Sequence, residues 1–233
     1  MVQATHVELT DEEIDEARER SMPRAAVVFE TIRREGDGEL SRTWSALAFS
    51  AVSAGLSMGF SLFTMSVFTA YLPDSPWRPL VASFGYTVGF LIAILGRQQL
   101  FTENTLTPIL VLLQRFDGPT LASVVRLWTI VIAGNLAGAL AFATLLAHVP
   151  VFTPDVQRAL ADVAVHASDG GALPNFVRAI YAGWLIALMV WLLPAAESAA
   201  MFIILLLTYV VAAAELTHVV AGSVEALYSV EIG

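Results

Sequence analysis

Between Arg42 and Asp74 no residue carries a formal charge, and the same is true between Arg126 and Asp155 and between Arg178 and Glu197. Each of these stretches reaches the roughly 18–20 residues that a helix needs to cross the hydrocarbon core of a bilayer. Such runs decide the fold class, because backbone N–H and C=O groups in lipid must be satisfied within the segment, and for apolar runs of this length the α-helix does that. With 57% apolar residues and a mean hydropathy of +0.70, the chain reads as an all-α integral membrane protein.

Two more uncharged stretches, Pro79–Gly96 and Ser198–Ala214, run directly into polar residues at Arg97 and Glu215. In order, the expected spans are 43–72, 79–114 broken at 96–104, 119–148, 176–194, and 197–229 broken at 215–218. Interrupted spans in matching places of two halves point to an inverted repeat with the solute site near the bilayer midplane. A sixth, intact span would complete the symmetry and is expected to be missing from this chain. The broken backbone should face a path or be buried in protein, since unpaired polar groups in lipid cost several kcal/mol each. Arg97 at a helix centre would add a penalty of roughly 2.5–3.5 kcal/mol. Arg97, Glu103, Asn104 and Glu215 are therefore a candidate charge network, either an ion pair that staples the broken loop or a direct contact of Arg97 with the solute.

Residues 1–42 carry no apolar core of a signal peptide and are expected to form a cytoplasmic segment with an amphipathic helix, followed by the pore domain at 43–233. That helix is expected over 10–34, opening on a capping box of Thr10 and Glu13 and interrupted near Pro23. Arginines concentrate there (Arg18, Arg20, Arg24, Arg33, Arg34, Arg42) and after the second span (Arg115, Arg126), which predicts a cytoplasmic N-terminus in a prokaryotic plasma membrane. The connection at 149–178, with its aspartates, then lies outside. The chain has no cysteine, so thiolate metal sites and disulfides are excluded. No nucleophile–base pair, phosphate loop, cofactor motif or basic patch for nucleic acid is visible, and an enzyme is not expected. The pairs Gly55/Gly59 and Gly134/Gly138 have the GxxxG spacing of close helix packing.

The stretch "GRQQLFTENTL", with Gly96, Leu100, Phe101 and Thr102, resembles the broken second span of the formate/nitrite transporter family. "AGNLAGALA", "GWLIALMVW" (183–191) and "HVVAGS" (218–223) are similar to that family's third, fourth and fifth spans, in order and at compatible spacing. The resemblance covers roughly 43–230. It implies an aquaporin-like bundle, a homopentamer with a pore through each protomer, and passage of small monovalent anions such as formate or nitrite. It also implies that Thr102 and His218 face each other at the pore centre, with Tyr86, Phe90, Leu100 and Phe101 along an apolar slit and Val211 one or two helical turns before the histidine. A hydroxyl beside a neutral imidazole can donate hydrogen bonds to a dehydrated anion, or the imidazole can pass it a proton.

Departures from the family pattern mark a divergent branch. The loop is one residue longer, a carboxylate follows the Thr in "TEN", Gly183 replaces an asparagine, and Glu215 lies three residues before the His rather than next to it. The expected function is a channel for small weak-acid anions or a carrier that couples them to a proton through the histidine. The alternatives are a pore of the same architecture for a neutral or cationic solute, and a membrane scaffold that does not transport.

Overall fold

A computed structural model of the chain describes residues 10–13, 23–168 and 171–233. Thr10 and Glu13 close a reciprocal capping box, with the Thr10 N–H donating to Glu13 Oε2 at 2.8 Å and the Glu13 N–H to Thr10 Oγ1 at 3.3 Å. Residues 14–22 of the helix expected over 10–34, with Arg18 and Arg20, lie outside the described residues. The helices beyond that point are α1 (Ala25–Ser41), α2 (Trp44–Tyr71), α3 (Arg78–Leu95), α4 (Thr107–Arg115), α5 (Gly118–His148), α6 (Pro154–Ser168), α7 (Ala172–Leu192), α8 (Ala200–Ala213) and α9 (Val219–Ile232). No strand occurs among the described residues. α2, α3 and α5, and the segment Ala172–Ala195, are long and apolar enough to cross a membrane; Glu197–Ala213 is a shorter apolar helix.

α2 is the axis of the molecule, packed against α3, α5, α6 and α9. Its contact with α5 is close because the two GxxxG faces meet. A Cβ built on Gly55 would lie 2.1 Å from Asn135 O, and one on Gly138 would lie 2.3 Å from Val52 O. Between apolar helices in lipid no hydrophobic force pulls the pair together, so this backbone proximity and its van der Waals contact carry the association.

α3 and α4 together form one interrupted span, and α8 and α9 form the other. The two breaks are built alike. At the end of α3 the N–H of Arg97 donates to Ile94 O at 3.0 Å and that of Gln98 to Ala93 O at 2.9 Å; at the end of α8 Glu215 donates to Ala212 O at 3.0 Å and Leu216 to Val211 O at 2.9 Å. This is the Schellman pattern that stops a helix, with the C′ residue left-handed. Arg97 has φ 48° and Glu215 φ 51°. After each stop the chain turns back into the bundle, and the two units run in opposite senses through it.

Two features differ from the sequence expectation. α1 continues past residue 34 through Gly36 and Gly38 to Ser41. Arg33 bridges Glu30 and Asp37 at 2.8 and 2.6 Å along its side, and Gly36 is needed where α1 meets α4, since a Cβ there would lie 2.3 Å from Thr107 O. The connection at 149–178 contains α6, whose Val156, Ala159, Leu160 and Ala164 fall on one face and are buried against α2 and α9. Its amphipathic face gives it a docked position without enough apolar length to span.

Candidate functional site

The turn after each Schellman stop delivers one polar side chain to the middle of the bundle. From the first comes Thr102 and from the second His218, both buried, with Thr102 Oγ1 2.9 Å from His218 Nε2. His218 is also the N-cap of α9: its Nδ1 accepts the Ala221 N–H at 3.2 Å. A ring nitrogen that accepts holds no proton, so the neutral imidazole carries its proton on Nε2 and donates it to Thr102. The Thr102 hydroxyl hydrogen is then free to point onward. Phe90 meets the imidazole edge-on at 4.9 Å between ring centroids, and Tyr86 follows Phe90 at 5.3 Å.

The irregular loop is held by side chains that replace the lost helical bonds. Asn135, fully buried on α5, accepts the Phe101 N–H at 2.9 Å through Oδ1 and donates from Nδ2 to Gln99 O and Ala51 O, each at 2.8 Å. Ser50 Oγ accepts the Gln99 N–H at 3.0 Å. The Gln99 side chain donates to Glu39 of α1 at 2.7 Å and accepts from Asn104 at 2.9 Å, while the Trp128 indole donates to Asn104 O at 2.8 Å. These bonds satisfy the groups that an interrupted span would otherwise leave bare.

On one side of the Thr102–His218 contact lies a cavity of about 600 Å³. It reaches from the first turn of α3 at Arg78 and the second turn of α7 at Arg178 to His218, with Tyr86, Val211, Glu215 and Glu225 on its wall. The fully buried Leu100 is not part of the cavity lining and belongs to the continuous core. Phe101 turns away from the cavity, packing between the core clusters with its ring 6.2 Å from Trp128.

The four residues of the candidate charge network are apart. Arg97 is exposed on the face that carries α1, where its charge acts on Glu35. Glu215 stands at the opposite end, 3.4 Å from His166 of α6. Glu103 opens a short 3-10 turn, Glu103–Thr105, and among the described residues no ion pair joins it or Glu215 to Arg97. Asn104 is part of the hydrogen-bonded loop support. Arg97 and Glu215 are thus the C′ residues of two separate helix stops and do not form one charge network.

Two buried polar side chains escaped the sequence reading. Asn135 is hidden in "AGNLAGALA", where the glycines on either side signal only packing. Glu225, seven residues after His218, is a carboxylate inside an apolar stretch, and that isolation was the available signal.

The formate/nitrite transporter family matches residues 26–233. The inner membrane protein YfdC of Escherichia coli strain K12 is 42% identical over 221 residues, covering 94% of this chain and 70% of that protein. Formate-nitrite transporter 3 of Toxoplasma gondii is 29% identical over 165 residues, covering 66% of this chain and 33% of that one. Among solved structures, a pentameric formate channel with formate bound superimposes with a TM-score of 0.69 at 18% identity, over 81% of this chain and 74% of that chain. The likeness is one of fold: an all-helical, aquaporin-like bundle with two interrupted spans.

Proposed function

The chain belongs to the formate/nitrite transporter family, and from that premise we propose that it passes small monovalent weak-acid anions, of the formate and nitrite class, along the cavity and across the Thr102–His218 contact. One observation carries this reading: two buried hydrogen-bonding groups, one from each broken span, meet against the apolar core. An anion that sheds water in the slit gains the Thr102 hydroxyl as a donor, oriented because His218 Nε2–H occupies the hydroxyl's oxygen. The N-cap bond on Nδ1 favours the neutral ring, so His218 positions and polarises rather than holding a spare proton. A proton that travels with the anion needs another carrier. The assembly that suits this fold is a homopentamer with a pathway in each protomer, in a membrane of the prokaryotic inner type with the α1 face cytoplasmic; the arginines of that face support the orientation.

The test is flux in proteoliposomes. A formate gradient imposed on the full chain is expected to change internal pH, read with a trapped dye, while a sodium gradient of the same size leaves the membrane potential unchanged. A sodium-driven potential with no response to formate would replace this reading with a cation pore whose selectivity comes from the cavity's carboxylates.

A further inference from the structure

Glu225 is 7% exposed, and the surface it keeps faces the cavity. Its side chain makes no hydrogen bond or ion pair among the described residues. It lies on the same face of α9 as His218, two turns further on, about 10 Å along the axis. Gly222 lies between the two: a Cβ there would meet only Glu225 Oε2 at 3.9 Å and Thr217 Cγ2 at 4.0 Å. No side chain projects from position 222, and His218, Gly222 and Glu225 all line the same cavity.

The ionisable groups around Glu225 are few. α3 contributes Tyr86 beside it and Arg78 at the mouth, α6 contributes Asp162 and His166, α7 contributes Arg178, and the second helix stop contributes Glu215. The nearest His on α5, His148, is taken by Glu231 at 2.8 Å, and α2 presents no acid or base along its length. Among the described residues no ion pair joins a cation to the Glu225 carboxyl.

We propose that Glu225 is the proton carrier of the pathway, giving its proton to a weak-acid anion in the cavity so that the neutral acid goes on to the Thr102–His218 contact. The inference rests on the anion-pathway reading above and supplies the carrier that His218, capped at Nδ1, does not. Two negative charges a few Å apart in a poorly solvated space raise each other's proton affinity and share one proton. When the anion approaches, the O–H bond of the Glu225 carboxyl breaks and an O–H bond forms on the anion, leaving a Glu225 carboxylate. That carboxylate repels the next anion until water from the cavity mouth returns a proton to it. Anions of strong acids cannot take the proton, so the device selects weak acids.

The experiment is labelled formate uptake by proteoliposomes holding the full chain, from about pH 8 to about pH 5, with protein-free vesicles subtracted, for wild type, Glu225→Gln and Glu225→Asp. Glutamine keeps the shape of the side chain and cannot release a proton, so assembly by size-exclusion chromatography is expected to match wild type. Wild-type uptake rises as the pH falls. Glu225→Gln is expected to lose about tenfold or more of the uptake at the acid end, the scale of a lost proton-transfer group, and its pH profile is expected to flatten. Glu225→Asp keeps the slope of the wild-type profile. A glutamine variant that retains that slope, whether at full or reduced rate, would overturn the proposal while leaving the pathway reading intact. A wild-type protein inert towards formate would overturn the pathway reading and this proposal with it.

Discussion

At the scale of single residues, the site depends on two side chains that each serve two partners. His218 caps α9 with one nitrogen and orients Thr102 with the other. Asn135 satisfies three backbone groups from two segments. Replacing Asn135 with alanine leaves the Phe101 N–H and two carbonyls buried without partners, at about 1–3 kcal/mol for each group that stays unpaired. The variant is expected to melt several degrees below wild type in detergent, by tryptophan fluorescence; an unchanged melting curve would mean that water takes over the asparagine's bonds. Thr102 and His218 were legible only through their resemblance to a family motif, because a lone threonine and a lone histidine have no periodicity to set them apart. Asn135 and Glu225 were missed: hydropathy averages a single polar residue into its apolar neighbours, and the fold reveals which face it occupies.

Among the elements, the paired helix stops matter most. Where the hydrophobic runs end is plain in the sequence at Gly96 and Ala214, and the two breaks follow from it. Their construction is not plain, because arginine and glutamate at C′ positions give no turn signal of the kind that glycine gives. A side chain in the left-handed region costs about 1 kcal/mol relative to glycine. Arg97→Gly and Glu215→Gly are therefore each expected to keep the fold and raise thermal stability slightly, by up to about 1 kcal/mol. A clear loss of stability from Arg97→Gly would show that its charge opposite Glu35 outweighs the backbone strain. The same construction separates the two charges: Arg97 and Glu215 lie next to apolar runs in the sequence, and each is the C′ residue at which its helix stops. α6 was missed for a related reason, since its apolar stripe is too short to register as a span.

For the whole molecule, the fold class followed from uncharged length alone, and the inverted pattern of intact and broken spans followed from where two of those lengths stop. The close packing of α2 on α5 through their glycines gives the rigid wall from which Asn135 reaches the first break, and α1 braces the same break through Glu39 and Gln99. The architecture thus holds Thr102 and His218 at 2.9 Å by two independent segments, and this meeting point is the proposed gate for a weak-acid anion. The direct measurement is formate uptake into proteoliposomes by wild type, Thr102→Val and His218→Ala, each purified as the same oligomer. The predicted result is fast uptake by wild type and a loss of about tenfold or more in both variants, matching the roughly 1.5–3 kcal/mol of a hydrogen bond to a charged group. Uptake by both variants at the wild-type rate would contradict it.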